Sequence, residues 1–350
     1  MNSKQHVSAL GMLSGVVAIV VLVLSHPGQA CTVVQEDWAP VLTLSTKGGT
    51  KVHDMLVWNR KLWIAQGSGL SGTGKALISS YDINTNTLRT EFEVPVDTYT
   101  GAPYWRVLRG FNGRLYAGLG NNQNAPGTGD IYEFDGTSWR KALQTTEYDV
   151  YSLEVYNGKL YAGAGSDGLA AGKLYESSDG TTWTLIKTFP SDHVRSLRVW
   201  QSRLYIGLRG QARLWSYDGA TFFDHGKPPG INAQIKSLVP YGTKLYIGAV
   251  AAKIFSWDGA AFTLELDATA TDSEIYKGAV YSGCLYFPTN GRDGGGRVWK
   301  FDGSSWSGDY VDTQTTAQFQ VVQRYAGYLW VGGGKRSGFP LTLRRTWQVQ

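Results

Sequence analysis

An aromatic residue followed four positions later by Leu-Tyr or Leu-Trp recurs seven times along the 350-residue chain, and this repeat constrains the fold more than any other feature. Neighbouring members are 40 to 53 residues apart, at Leu62, Leu115, Leu160, Leu204, Leu245, Leu285 and Leu329. Around each pair, strand-type alternation is punctuated by turn residues. A period of roughly 40–45 residues containing four strand-type segments is typical of a β-propeller blade, so the sequence predicts seven blades.

The unit from Tyr156 to Trp183 illustrates the predicted blade. An inner strand ends at the aromatic Tyr156, and Asn157-Gly158 then supplies a tight turn into a second strand. A variable loop leads to a third strand, and Asp179-Gly180 turns the chain into a fourth. Asn-Gly and Asp-Gly pairs tolerate the positive φ that such turns require. The pattern therefore predicts an all-β chain with four antiparallel strands per blade.

The two ends of the chain are predicted to complete one blade together. The last repeat lacks a fourth strand, whereas a strand-type segment, Trp38 to Leu44, precedes the first repeat. We predict that this N-terminal strand completes the seventh blade and leaves no open sheet edge. Residues 31–350 then form a single propeller domain.

The repeats resemble those of the kelch-like and Asp-box-like propellers of bacteria. The segment Ser177 to Trp183, SSDGTTW, is similar to an Asp-box but lacks one residue between Asp179 and Gly180. The resemblance extends over residues 31–350. It implies a structural turn role for Asp179 and implies no particular activity.

Residues 1–30 are predicted to be a signal peptide. Lys4 precedes an apolar stretch from Val16 to Leu24, and Gly28-Gln29-Ala30 forms a cleavage pattern. The expected destination is secretion, the periplasm or the cell surface, with no transmembrane domain after cleavage. Retention as an uncleaved anchor and lipidation of Cys31 are the alternatives.

The chain contains two cysteines, Cys31 and Cys284. In an exported protein this number allows one disulfide, with two unrelated residues as the alternative. The N-terminal strand places Cys31 at the seam of the last blades, within reach of blade six.

Polar residues recur five positions before the aromatic that ends each inner strand. We predict that they ring the mouth of the central channel: His53, Arg106, Tyr151, Arg195, Lys236, Tyr276 and Gln320. A second polar ring, seven positions back, comprises Lys51, Tyr104, Asp149, His193, Gln234, Glu274 and Gln318. The cations and tyrosines of the first ring suit an anion or an acidic sugar. The alternative is a channel that is polar because it holds water.

The sequence contains none of the Gly-x-Ser-x-Gly, His-Glu-x-x-His or Walker motifs, so no catalytic residue, metal or cofactor is predicted. A net charge of +5 without a run of like charges gives no reason to expect nucleic-acid binding. The leading hypothesis is a monomeric binding module for a glycan or a protein, acting on the face of the variable loops. The alternatives are a carbohydrate-active hydrolase or lyase at the channel mouth and a structural envelope component.

Overall fold

The structure is a computed structural model that describes residues 31, 38–45, 47, 49–67, 75–94, 103–121, 128–166, 171–190 and 192–346. The predicted signal peptide lies outside the described residues. The described part of the chain contains 29 β-strands and no α-helix. None of its segments is a helix able to cross a membrane.

The strands form successive antiparallel groups of four, which we call blades one to seven, with strands a to d running outwards from the centre. Blade one comprises Lys51–Trp58, Lys61–Gly67, Leu77–Asp82 and Thr87–Glu93. Blade two comprises Pro103–Phe111, Arg114–Asn121, Asp130–Phe134 and Trp139–Gln144. Blade three comprises Asp149–Tyr156, Lys159–Gly165, Gly172–Ser177 and Thr184–Phe189. Blade four comprises His193–Trp200, Arg203–Arg209, Leu214–Tyr217 and Phe222–Asp224.

Of the remaining three blades, blades six and seven differ from this plan. Blade five is regular and comprises Ile235–Tyr241, Lys244–Ala249, Lys253–Trp257 and Phe262–Asp267. Blade six has a divided strand a, and comprises Asp272–Ile275 with Ala279–Tyr281, Cys284–Gly291, Gly296–Phe301 and Trp306–Asp312. Blade seven combines both ends of the chain, and comprises Thr316–Tyr325, Tyr328–Lys335, Leu341–Thr346 and Trp38–Leu44.

The seam in blade seven is closed by the N-terminal strand, as predicted. Trp38 pairs with Thr346 at one end of the antiparallel ladder, and Leu44 pairs with Leu341 at the other. The indole of Trp38 also donates a hydrogen bond of 2.9 Å to Asp309 in blade six. Cys31 and Cys284 form a disulfide, with their Cα atoms 4.8 Å apart. The N-terminal segment is therefore tied to both of the last two blades.

The tight turns explain the Asn-Gly and Asp-Gly pairs of the repeat. Asn157 and Gly158, between strands a and b of blade three, have φ values of 46° and 71°. In the c–d turn, the Asp179 carboxylate accepts the backbone N–H groups of Thr181 and Thr182, each at 2.7 Å. These bonds stabilise the ionised carboxylate, and they lower the pKa of Asp179.

The glycine of the Leu-Tyr-x-Gly pattern permits neighbouring blades to pack. A Cβ atom on Gly163 would lie 2.3 Å from Val194 Cγ1 of the next blade, and one on Gly207 would lie 2.5 Å from Ile235 Cγ2. Large apolar side chains fill the remaining space between blades, because both faces of each blade are covered.

The aromatic at the end of strand a joins one blade to the next wherever it is tyrosine. The hydroxyls of Tyr156, Tyr241 and Tyr281 donate hydrogen bonds of 2.7 to 2.8 Å to carbonyl oxygens in the a–b turn of the following blade. Tyr325 donates likewise to Arg60 across the seam, at 3.1 Å. Each bond satisfies a polar group at the edge of an otherwise apolar contact.

Candidate functional site

In six of the seven described inner strands, a β-bulge occurs at the residue that the sequence predicts to line the channel mouth. The pairing register shifts by one residue at these positions, which are His53, Arg106, Tyr151, Arg195, Lys236 and Gln320. In blade six, Tyr276 instead follows directly after the break in strand a. A bulged residue is released from the ladder and turns its side chain in a new direction. The backbone thus presents the same ring position towards the channel in every blade.

These seven residues line one cavity of about 190 Å³, which we call the mouth cavity. Lys51 and Tyr104 of the second predicted ring line it too, as does Lys277. Most of the second ring lies where one blade bonds to the next. Backbone pairing joins Tyr104 to Gly67, Asp149 to Gly120, Gln234 to Arg209 and Glu274 to Val250. His193 stacks against the ring of Tyr151, with centroids 6.0 Å apart.

Arg106 belongs to a cluster with an acidic and an aromatic partner. Its Nε lies 3.0 Å from Asp149 Oδ1, and Tyr104 donates its hydroxyl to the same oxygen at 2.9 Å. Arg106 also donates a hydrogen bond to the Tyr104 hydroxyl oxygen. Burial alone would lower the pKa of Arg106, but Asp149 outweighs it and raises that pKa. This arginine is permanently charged and firmly oriented.

Lys236 forms a second such cluster on the other side of the ring. Its Nζ lies 2.9 Å from Glu274 Oε2 and 4.3 Å from the centroid of the Tyr276 ring. Tyr276 donates its hydroxyl to the same carboxylate. Burial, assisted by Arg195, lowers the pKa of Lys236 to about 7 despite Glu274. Lys236 is therefore only partly protonated near neutral pH.

Arg195 has no carboxylate partner among the described residues. Its guanidinium lies 4.5 Å from the centroid of the Tyr151 ring. On the same tyrosine, Arg106 lies 4.9 Å from the centroid. Burial and the charge of Arg106 lower the pKa of Arg195, although arginine remains charged. Arg195 is thus a buried cation that forms no ion pair with any residue the structure describes.

His53 is neutral in this setting. Burial and the nearby cations hold its pKa well below the ordinary value of 6.5. Its Nε2 atom is inaccessible to solvent and has no hydrogen-bond partner among the described residues. The ring packs against Tyr104, with centroids 5.2 Å apart. The imidazole therefore keeps one buried polar atom unsatisfied in the cavity wall.

Lys277 is a cavity residue that sequence reasoning missed. It stands four positions before the aromatic, where most other blades carry aspartate or serine. Its Nζ lies 3.0 Å from Asp54 Oδ2 and donates a hydrogen bond of 2.8 Å to the carbonyl oxygen of Arg106. One sequence feature could have identified Lys277. The pair Lys277-Gly278 departs from the repeat at the point where strand a breaks.

The charges around the mouth cavity do not balance. The cations Lys51, Arg106, Arg195, Lys236 and Lys277 line it. The carboxylates of Asp54, Asp149 and Glu274 each pair with one of these cations. Among the described residues, Lys51 and Arg195 have no such partner. The surplus positive charge, held in a desolvated site, suits an anion.

The fold, but no family, is identified by comparison with known proteins. The chain matches no protein-family model and none of the curated proteins. Among solved structures it is similar to virginiamycin B lyase from Staphylococcus aureus, with 12% identity and a TM-score of 0.66 over 89% of this chain and 99% of the lyase. It is likewise similar to the WD40 repeats of RRP9, with 10% identity and a TM-score of 0.60 over 89% of this chain and 97% of that one.

A further similarity is to the extracellular domain of a B. thetaiotaomicron protein described as a hybrid two-component system. The identity is 16% and the TM-score 0.63, over 88% of this chain and 39% of the other. The chain thus spans about two fifths of the length of that domain. At such identities the similarities show a β-propeller and nothing finer.

Proposed function

We propose that the protein is an exported binding module that holds an anionic group of a glycan or a partner protein in the mouth cavity. The observation that carries this proposal is the ring of bulged residues around a cavity with uncompensated positive charge. Arg195 and Lys51 supply that surplus. A guanidinium pairs with a carboxylate in a directional, charge-assisted hydrogen bond, which makes Arg195 the principal contact.

The size of the cavity limits the part of the ligand that enters. Its volume of about 190 Å³ is below the range of roughly 300–1,000 Å³ that accommodates a drug-sized ligand. A terminal acidic sugar or an acidic side chain fits this limit better than an oligosaccharide. The face of Tyr151 already contacts two guanidinium groups, so charge pairing is better supported here than stacking of a sugar ring.

The binding test compares charged and neutral sugars of the same shape. We expect the purified residue 31–350 protein to bind galacturonate or glucuronate more tightly than galactose or glucose in isothermal titration calorimetry. Arg195→Gln should weaken uronate binding about tenfold or more, because one charge-assisted contact is lost. Arg89→Gln, on the exposed outer strand of blade one, is the matched control. Equal affinity for uronates and neutral sugars, or an unaffected Arg195→Gln variant, would contradict the proposal.

Export through a cleaved signal peptide, and the kelch-like or Asp-box-like origin of the repeats, form part of the proposal. The disulfide between Cys31 and Cys284 supports an oxidising destination. The same bond occupies the sulfur that lipidation would need. The intact mass of the protein recovered from the periplasm should correspond to a chain that begins at Cys31. A mass increased by a lipid, or an uncleaved chain, would contradict this part.

A lyase is the second candidate, and Lys236 is the observation that favours it. An amine with a pKa of about 7 beside the Tyr276 phenol can accept a proton from carbon at neutral pH. In a polyuronate, removal of the proton next to the carboxylate would form a carbon–carbon double bond. The glycosidic oxygen would leave with the bonding electrons and take up a proton. Hydrolysis by a carboxyl pair is less well supported. Burial would raise the pKa of Glu274, but Lys236, Tyr276 and Arg195 together outweigh it and lower that pKa, so this carboxylate does not become the proton donor that hydrolysis needs.

The lyase candidate is tested by the ultraviolet absorbance of the unsaturated product formed from polygalacturonate. Lys236→Met should abolish the absorbance change while leaving uronate binding measurable. Absence of any product with the wild-type protein would reject the lyase but leave the binding module intact.

A further inference from the structure

The mouth cavity presents basic side chains to a ligand, while the carboxylates paired with them lie outside its lining. Among the described residues, the lining includes five basic side chains and no acidic one. Asp54, Asp149 and Glu274 each contact one of these cations without lining the cavity themselves. After these three pairs, Lys51 and Arg195 remain. A group with two negative charges would balance them.

Lys51 and Arg195 act on the same region of the cavity, although they belong to blades one and four. Burial is the main reason that the pKa of His53 is low, and both Lys51 and Arg195 contribute to the lowering. Because Coulomb interactions weaken with distance, both cations lie near that imidazole. Both also line the cavity. One anion in the cavity can therefore be contacted by cations from two sides of the channel.

Gln320 of blade seven adds a neutral hydrogen-bonding group to the same wall. The residue lines the mouth cavity and is only 7% exposed. Its side-chain amide forms no hydrogen bond with any residue that the structure describes. Lys51 adjoins this blade across the seam, since its backbone pairs with Gly334. A polar side chain with so little exposure is satisfied when a ligand accepts its N–H groups.

We propose that the mouth cavity is selective for a doubly charged phosphoryl group over the single carboxylate of a uronate. A phosphate ester carries nearly two negative charges at pH 7 and three acceptor oxygens that point in different directions. A carboxylate carries one charge and two oxygens in one plane. Three oxygens suit Lys51, Arg195 and Gln320, which approach from three blades.

Lys236 supports the same choice of ligand. Its pKa of about 7 leaves it partly protonated near neutral pH. A nearby negative charge favours the protonated form, and a doubly charged group does so more strongly than a carboxylate. This inference rests on the anion-binding function proposed above, and it names the class of anion.

The test compares galactose 6-phosphate, galacturonate and galactose by isothermal titration calorimetry with the residue 31–350 protein at pH 7. We expect galactose 6-phosphate to bind about tenfold more tightly than galacturonate, because it gains a further charge-assisted contact. Inorganic phosphate separates two sources of the phosphoryl group. An affinity equal to that of galactose 6-phosphate would assign the site to free phosphate, and a weaker one would show that the sugar contributes to binding.

Lys51→Gln tests the second charge separately from the first. It should weaken binding of galactose 6-phosphate about tenfold but binding of galacturonate by less than about threefold, because the carboxylate retains Arg195. Lys51 forms no ion pair with the described residues, so we expect the variant to keep the circular dichroism spectrum of the wild type. Arg195→Gln should weaken binding of both ligands. Arg89→Gln, on an exposed outer strand, should change neither.

The outcomes separate failure of this inference from failure of the proposed function. Galactose 6-phosphate that binds no more tightly than galacturonate, while galacturonate exceeds galactose, would refute the selectivity and leave the proposed function in place. A Lys51→Gln variant that retains the full preference would refute it too. If neither anionic sugar binds more tightly than galactose, the proposed anion-binding function fails as well.

Discussion

Lys277 of blade six reaches across the channel to Asp54 of blade one, with Nζ and Oδ2 3.0 Å apart. Asp54 also accepts the backbone N–H of Leu108 in blade two, at 2.8 Å. Lys277 itself donates to the carbonyl oxygen of Arg106 in that blade. Three blades are thus joined through a single lysine that also lines the mouth cavity.

Replacing this lysine should destabilise the propeller. We expect Lys277→Met to lower the free energy of unfolding by about 1–3 kcal/mol, because the buried carboxylate loses its charged partner and a carbonyl loses its donor. Lys47→Met, at an exposed lysine, should have no measurable effect. Urea unfolding followed by tryptophan fluorescence provides the comparison. Equal midpoints for the two variants would show that the joint contributes nothing to stability.

The depressed pKa of Lys236 predicts how stability depends on pH. From about pH 7 up to the ordinary lysine pKa of 10.5, the unfolded chain retains the Lys236 proton that the folded protein releases. Because the unfolded state then binds more protons, the contribution of Lys236 to stability rises with pH across this window. The wild-type protein should therefore gain up to about 1.4 kcal/mol per pH unit relative to Lys236→Met.

Urea unfolding of both proteins at several pH values across this window checks the prediction. Lys51 and Lys277 also have lowered pKa values, but they are present in both proteins and cancel in the comparison. If the unfolding free energies of the wild type and Lys236→Met change with pH in parallel, the pKa of Lys236 is not lowered in the folded protein.

The disulfide should contribute substantially to stability. Cys31→Ser spares the fully buried Cys284, which can remain as a small apolar thiol. We expect this variant to lose about 2–4 kcal/mol in non-reducing denaturant, since the bridge restricts the unfolded chain. Under reducing conditions the wild type and the variant should unfold together. A difference that persists in reductant would mean that the serine itself, rather than the lost bridge, is responsible.

Two equivalent turn glycines offer a matched pair of variants. Gly180 and Gly136 both have positive φ, so alanine at either position incurs the cost of a left-handed backbone, about 1–2 kcal/mol. Only at Gly180 would the new Cβ collide, 1.9 Å from the Tyr116 hydroxyl oxygen. That hydroxyl is buried and bonded to Glu133, which limits its movement.

We therefore expect Gly180→Ala to be less stable than Gly136→Ala by a further 1–3 kcal/mol or so. Thermal unfolding of the two variants side by side measures the difference. If both lose the same amount, the backbone conformation alone accounts for the effect.

The fold was predictable from the sequence because each blade repeats its own local signals. Turn pairs, strand alternation and the unmatched strand at Trp38 to Leu44 predicted the all-β propeller and its closing strand, and the fold is confirmed. The recurrence of polar residues at one position also identified the residues that line the mouth cavity. Local patterns suffice where every blade makes the same contact with its neighbour.

Features specific to one blade were not predictable in this way. The bulges that turn Arg195 and its counterparts inwards depend on pairing register, which the alternation of side chains does not specify. Lys277 acquires its role from the break in blade six and from partners more than 170 residues earlier in the chain. The mouth cavity forms only when the inner strands of all seven blades come together.

The closing strand determines when the ring can be completed. Trp38 is synthesised long before its pairing partner Thr346. Six blades can form before Leu341–Thr346 is made, and the sheet edge of that strand then stays exposed until the N-terminal strand pairs with it. Closure of the ring therefore depends on an encounter between two strands that are synthesised far apart in time.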